Sequence, residues 1–362
     1  METTEQTIKL IWRRQDGTSL LTMTTSNVGT PAIASSLSRF MIALSSREFL
    51  LVLINLLIFA VLGFLRPDAF LSWTNIKAVL SLMSYDVLIA VAMTMVLIVR
   101  GLDLSVGSVL ALTSVVMALL MRDGVPVIPS LIVGLLVALA CGLVNGLLIA
   151  KAGILPFLVT LGMMSIARGL ATVLTTGQYI SFPQASRWFS QFGRYELSFS
   201  IGNTFYGFPV LLLITLATIA IFGLLLSYWT PLRQSFYVGE SPEAAILSGI
   251  NVSRVTISAY LISASFVWVA AVLMTSANKI GYANYGIGAE LRALAAAVVG
   301  GASVAGGVGS IFGTFLGVLM LALIGNGFIL LNGNPNWQQA TVGIVLIAAV
   351  GFDAVRTYRQ RR

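Results

Sequence analysis

From residue 49 onward the chain reads as long apolar runs separated by short polar breaks. The runs lie at 49–65, 76–99, 104–121, 128–150, 155–175, 208–229, 255–277, 291–301, 311–331 and 337–355. Most approach the roughly 20 residues that an α-helix needs to cross a bilayer core. The pattern predicts an all-α, polytopic membrane protein of about ten transmembrane helices. The eighth run is short and ends in glycine, as a half-helix or re-entrant piece would.

One polar island interrupts this pattern, P-L-R-Q-S-F-Y-V-G-E-S-P-E-A-A-I-L-S-G-I-N-V-S-R, residues 231–254. It contains a short helix with both ends marked. The Ser241 hydroxyl can accept from an orphan backbone N–H at the start. Pro242 suits the first helical position, where no hydrogen bond is lost. Glu243 sets negative charge at the positive end of the helix dipole, and Gly249 suits a left-handed stop. A helix of about two turns over 242–248 follows, at roughly 3.6 residues per turn. So short a helix is not stable alone in water, which predicts that it docks on a second protein.

Composition agrees with a membrane protein. Charged residues make up 9% and hydrophobic residues 57% of the 362, against roughly 25% charged in a soluble domain. The formal net charge of +8 resides at the ends and in loops and does not indicate nucleic-acid binding. With the N-terminus inside, Lys and Arg distribute thirteen inside to seven outside, the outer set being Arg66, Lys77, Arg122, Arg187, Arg194, Lys279 and Arg292. Because basic residues stay cytoplasmic, both termini are expected in the cytoplasm, and 231–254 with them. Residues 1–46 read as a polar cytoplasmic tail without signal-peptide character, in which Met23, like Met41 after it, is a further candidate start. Residues 47–355 form the expected transmembrane domain and 356–362 a basic tail. Such a chain belongs in the cell inner membrane, in contact with lipid. The aromatic-rich outer loop 177–207, with Trp188, Phe189, Phe192, Tyr195 and Phe199, suits a membrane interface or a partner surface, and anchoring at the interface is the preferred reading.

Candidate chemistry narrows the picture further. There is no histidine and one cysteine, Cys141. Imidazole acid–base chemistry, histidine-ligated metal and an intrachain disulfide are thereby excluded. The glycine-rich stretch from Gly300 to Ser310 is not a P-loop, because no lysine precedes Ser or Thr anywhere in the chain. Gly309, Gly313 and Gly317 instead recur every fourth residue, a spacing for close helix packing, and Gly306-Gly307 is a candidate flexible break. No catalytic residue, cofactor or metal ligand is expected. Asp103 and Ser105 are candidate N-caps of the third span. Asp86 and Arg168 lie within spans, where a central charge costs about 2.5–3.5 kcal/mol and must pair or face water. They, with Asp103, Asn145, Thr160, Ser165 and Asn326, are the candidates for lining a translocation pathway. For Asn145, Thr160, Ser165 and Asn326 the preferred reading is a hydrogen bond to a neighbouring helix. Asn278, Glu290 and Arg292 are expected near the outer mouth, in water or against a docking partner.

Several stretches together resemble the permease subunits of bacterial ABC importers for monosaccharides, the ribose, xylose, arabinose and galactose group, which also includes importers of polyols. They are G-L-D-L-S-V-G-S from Gly101, N-G-L-L-I-A-K from Asn145, P-F-L-V-T-L-G-M-M-S-I-A-R-G from Pro156, S-P-E-A-A-I-L-S-G-I-N from Ser241, V-A-G-G-V-G-S-I-F-G-T-F-L-G from Val304 and W-Q-Q from Trp337. The likeness runs from Arg47 to Asp353. It implies a dimeric core with a second permease copy or paralogue, an ABC ATPase subunit that hydrolyses the ATP, and a periplasmic sugar-binding protein. It also implies that Glu240, Ser241, Pro242, Glu243, Ala244, Ala245, Leu247, Ser248 and Gly249 make the ATPase-coupling contact. Arg100, where the family has a small residue, Asp86, in a span otherwise uncharged, and Glu240, in place of Asn, depart from the family pattern. An ion-coupled secondary transporter of a small polar solute, using Asp86 as its titratable group, is the alternative reading.

Overall fold

A computed structural model describes residues 9–10, 23–24, 47–182, 187–202, 204–334 and 336–360, with side chains described to 351 in the last helix. The N-terminal tail, apart from a two-residue antiparallel pairing of β1 (Lys9–Leu10) with β2 (Met23–Thr24), lies outside the described residues. So do the side chains of the basic C-terminal tail.

The helices are α1 (Arg47–Leu65), α2 (Pro67–Phe70), α3 (Trp73–Ile98), α4 (Val106–Arg122), α5 (Val127–Ala150), α6 (Pro156–Thr175), α7 (Arg187–Phe192), α8 (Val210–Tyr228), α9 (Thr230–Glu240), α10 (Pro242–Leu247), α11 (Val252–Asn278), α12 (Ala289–Val299), α13 (Ile311–Leu330) and α14 (Asn336–Gln360). Each of the ten predicted apolar runs falls on a helix. Among the described residues, seven helices are long and apolar enough to cross a membrane, namely α1, α3, α5, α6, α8, α11 and α13. The protein is thus an all-α, multi-pass membrane protein. Helices prevail because a bilayer core offers no water to satisfy backbone N–H and C=O groups, which must bond within the segment.

The bundle is organised around α3. From Val87 to Ile98 it is buried on every side, with α8, α11, α12 and α13 packed around it. Hydrophobicity does not drive helices together in lipid, so close packing and interhelical hydrogen bonds must. Both are present. Thr94 and Thr314 hydroxyls bond α3 to α13 at 2.7 Å, Ser114 and Thr275 bond α4 to α11 at 2.7 Å, and Thr215 donates from α8 to the Ser84 carbonyl at 2.9 Å. Small residues set the approach distances. A Cβ on Gly142 would meet Ala264 and Tyr260 of α11, and one on Gly317 would overlap the Ala296 backbone of α12. The predicted glycine face is therefore used as expected for Gly313 and Gly317. Gly309 lies ahead of α13 and abuts Ile98 instead. The outward faces stay oily: Phe64, Leu57 and Ile347 are exposed, as lipid contact allows.

The aromatic-rich loop between α6 and α8 folds into more than an anchor. It holds β3 (Ile180–Ser181), helix α7 and a hairpin of β4 (Glu196–Ile201) with β5 (Thr204–Pro209). An ion pair from Lys77 on α3 to Glu196 at 2.9 Å fixes the hairpin, although both groups are a third exposed. Phe199 and Tyr206 of the hairpin stack with centroids 5.5 Å apart, and Trp73 of α3 packs edge-on against Tyr206 at 5.4 Å. Trp188 and Tyr195 are exposed, as an interface anchor requires, but Phe189 is not: it is buried against Phe182, and Ser276 donates to its carbonyl.

Residues 279–288, between α11 and α12, form the most unusual segment. They run mostly without helical backbone along α4. β6 (Ile280–Gly281) pairs with β3, and Gly286, at φ +68°, touches Gly107 near the start of α4. Irregular backbone at this depth is tolerated only when protein covers it. α12 follows with eleven residues, about 16 Å at 1.5 Å per residue, so the eighth run is a half-helix.

Candidate functional site: the coupling segment and its junction with the bundle

The polar island folds into two helices rather than one. α9 is amphipathic; it buries Leu232, Ser235, Val238 and Gly239 against the bundle and carries Glu240 at its end. The pattern of 231–241 contains this helix, but its one apolar face is narrow and is easily taken for loop. Next, Ser241 caps α10: its hydroxyl accepts from the Ala244 N–H at 3.2 Å, and Pro242 follows at the first helical position. The Ser241 hydroxyl also donates to the Glu243 carboxylate at 3.1 Å. Bonding to its own backbone N–H and to Ser241 holds the Glu243 carboxyl below the ordinary carboxylate range. The helix stops at Leu247, one residue earlier than expected, where Ser248 caps it by donating its N–H to Ala244. Gly249 takes φ +79°, as the left-handed stop requires.

α10 presents two faces. Ala245 is buried against the bundle, whereas Leu247 is 90% and Ile246 62% exposed. Two large apolar side chains project from a capped helix with no covering partner among the described residues. A depression of about 310 Å³ lies alongside, walled by Tyr237, Glu240, Ala244 and Ile250 among others.

The junction behind this segment contains a residue whose role sequence reasoning missed. Arg100 follows α3 at φ +61°, a costly conformation for a non-glycine residue. Its guanidinium donates to the Gly239 carbonyl at 2.7 Å and to the Glu240 carbonyl at 2.6 Å. These are two of the carbonyls that the end of α9 leaves without helical partners. The backbone closes in at the same point. The Gly307 N–H donates to the Ile98 carbonyl at 2.9 Å. A Cβ on Gly239 would overlap the Ile98 oxygen and the Gly307 nitrogen, and one on Gly306 would overlap Arg100. The end of α3, the end of α9 and the glycine turn before α13 thus meet backbone to backbone at Ile98, Gly239 and Gly307, with the Arg100 side chain alongside. Gly306 and Gly307, both at positive φ, form a packed joint here. The only sequence signal was that Arg100 departs from the family pattern.

Of the proposed pathway residues, three converge on the 99–105 turn. Asp103 accepts from the Ser105 N–H at 3.0 Å and its hydroxyl at 2.5 Å, and from Ser263 at 3.3 Å. Asn145 donates to Ser105 at 3.1 Å, and Thr160 to the Leu102 carbonyl at 3.2 Å, beside Tyr260. Ser105 occupies the N-cap position of α4, yet its side chain makes no capping bond; Asp103 organises the turn instead. Asn326 forms a reciprocal amide pair with Asn75, at 2.6 and 3.1 Å. Ser165 is exposed and donates to Leu161 of its own helix, not to a neighbouring one.

The two intramembrane charges are both engaged. Arg168 reaches from α6 to the irregular segment, donating to the Ala283 carbonyl and, at 2.8 Å, to that of Tyr285. It satisfies backbone acceptors that no helix serves. Asp86 lies 3.7 Å from Arg292. Asp86 is the fourteenth residue of α3, about 20 Å from its start, so Arg292, its side chain 36% exposed, sits at mid-bundle rather than at the outer mouth. Glu290 likewise lies beside Gly107. The misplacement has one cause: 279–288 descends into the bundle before α12 begins, which an apolar run beginning at Leu291 does not reveal. Asn278 does stay exposed, bonded to Met274.

Comparison with known proteins gives the family. No solved structure matches the chain. The ribose import permease protein RbsC of Bacillus subtilis is 35% identical over 301 residues, 83% of this chain and 91% of that protein. The fructose import permease protein FrcC of Rhizobium meliloti is 32% identical over 80% of this chain and 81% of its own length. The L-arabinose ABC transporter permease protein AraH of Azospirillum brasilense is 32% identical over 86% and 88%. The profile of the family described as "Branched-chain amino acid transport system / permease component" matches residues 75–350, a span that includes α10, the Arg100 junction and the Asp86–Arg292 pair. With that match and relatives aligned over most of its length, the chain belongs to this family of transport-system permease components.

Proposed function

We propose that the chain is the transmembrane subunit of an ATP-driven importer in the cell inner membrane. It translocates a monosaccharide or related polyol handed over by a periplasmic binding protein. Sugar is the favoured cargo, despite the amino-acid wording of the family description, because the relatives it aligns with are import permeases for ribose, fructose and arabinose. In this reading ten spans cross the membrane with both termini cytoplasmic. Residues 1–46 and 356–362 are cytoplasmic tails, and 231–254 is the coupling loop.

The observation that carries the mechanism is the joint behind α10. A capped helix offers Ile246 and Leu247 to a partner and is tied through α9 and Arg100 to the end of α3, the central helix. An ABC ATPase subunit grips α10, with Glu243 available to an arginine on that partner. Closure of the ATPase on nucleotide pulls α9, and the pull reaches α3 and the Gly306-Gly307 joint before α13. Packed helices then move as rigid groups, the usual form of alternating access. A second permease copy or paralogue completes the core. ATP hydrolysis belongs to the partner; this chain couples and conducts.

The ion-coupled carrier is not favoured. It needs a titratable group free to switch sides, and Asp86 is held by a cation. Reconstitution with the cognate ATPase and binding protein in proteoliposomes is the test. Sugar uptake should require ATP inside the ATPase compartment and persist with an uncoupler. Uptake abolished by the uncoupler and indifferent to ATP would overturn the proposal.

A further inference from the structure

The coupling joint is at the inner end of the bundle; a different feature lies at its middle. A cavity of about 310 Å³ opens between α3, α12, α13 and α14, at the lower end of the range for small-molecule sites. Its polar groups are Asp86, Arg292 and Gln338. A second cavity of about 270 Å³ shares Arg292, Gln338 and Val342 with the first and adds Gln339. Arg292 therefore lines two adjoining spaces, each large enough for several water molecules. Room exists because the α12 wall is built from Ala289, Ala293 and Ala296.

We propose that Asp86, Arg292 and Gln338 form a sugar-contact subsite inside the permease. This rests on the import reading above and assigns residues to it. Three physical points support it. First, a carboxylate accepts only, a guanidinium donates only, and an amide does both. That set suits hydroxyl groups, each of which donates and accepts at once. Second, at 3.7 Å the pair is in ionic contact but longer than a hydrogen bond. A hydroxyl can accept from Arg292 and donate to Asp86 without separating the charges. Third, the pair is neutral overall and the α12 wall is apolar, which suits an uncharged polyol that has a C–H face. A zwitterionic amino acid would have to draw Asp86 and Arg292 apart to use either charge.

The test uses the assembled importer, permease with ATPase and binding protein, and D-ribose as the probe sugar. In proteoliposomes the double variant D86N/R292Q removes both charges and leaves no unpaired one. Sugar moved per ATP hydrolysed should fall at least fivefold. An unchanged ratio, even with both rates lowered together, overturns the subsite. Because the double variant can misfold, a second measurement avoids the charged pair. In nanodiscs, a thiol at Leu82→Cys, on the cavity wall, is labelled in a Cys141→Ser background. Saturating ribose should slow labelling severalfold while leucine does not; no protection, or protection by leucine alone, overturns the proposal. Wild-type importer that moves no sugar with ATP would instead sink the import reading itself, so the two failures are distinguishable.

Discussion

Replacing Arg100 separates the stability of the joint from its use. Arg100 makes two hydrogen bonds to the end of α9, one half-buried at 2.7 Å and one exposed at 2.6 Å. A hydrogen bond from a charged donor contributes about 1.5–3 kcal/mol when shielded, and an exposed one far less, so the clamp is worth about 2 kcal/mol. Against this stands the backbone at φ +61°, which costs a non-glycine residue roughly 1–2 kcal/mol. Arg100→Ala loses the clamp and keeps the strain. Arg100→Gly loses the clamp and sheds the strain, because glycine adopts positive φ freely. The two variants should therefore differ in thermal stability, with Arg100→Gly close to wild type and Arg100→Ala lower. They should agree in coupling. Loss of about 2 kcal/mol raises the population of a detached coupling segment about thirtyfold, at 1.36 kcal/mol per tenfold. Sugar transported per ATP hydrolysed, measured in proteoliposomes with the cognate ATPase and binding protein, should fall in both. Wild-type stoichiometry in a normally expressed Arg100→Gly variant would refute the idea that the joint transmits movement.

Gly249→Val forces a β-branched residue to φ +79°, costing at least about 1–2 kcal/mol; co-purification of the ATPase should drop while membrane insertion stays normal, and full transport would count against docking at α10. Arg168→Leu leaves the carbonyls of Ala283 and Tyr285 without their donor, at about 1–3 kcal/mol for each buried acceptor; the melting temperature in nanodiscs should fall by several degrees, and an unchanged value would show that water or another donor serves the segment. Glu243 has a depressed pKa, so its support of α10 is fully present above the ordinary carboxylate range and disappears as pH falls through the lowered value. Amide protection across 242–248 should therefore decline below about pH 4.3 in wild type, whereas Glu243→Gln shows no such step; identical pH profiles would remove Glu243 from the cap.

The limits of sequence reading fall at particular residues. Apolar runs near the length of a bilayer core announce membrane helices because lipid leaves the backbone no other economical structure. For the same reason the start and stop of α10 could be read from Ser241, Pro242 and Gly249: capping is local chemistry, decided within four residues. The Asn326 amide, by contrast, could be read as a helix contact, but its partner Asn75, 251 positions away, could not be named from the sequence. Asp103, Asn145 and Thr160 were each visible as polar residues in oily surroundings, but their convergence on one turn was not.

What the sequence alone determined about this protein is its all-α membrane class, the positions of its apolar helices, the caps of α10 and its permease kinship, all of which follow from composition, local chemistry or motif order. Only the tertiary structure decided what the charges are for. Arg168 serves an irregular segment, Arg292 lies at mid-bundle opposite Asp86, and Arg100 clamps α9. The reason is physical. A charge inside a membrane protein must find a partner, and that partner is chosen by which helices lie side by side, a long-range outcome that no local pattern encodes.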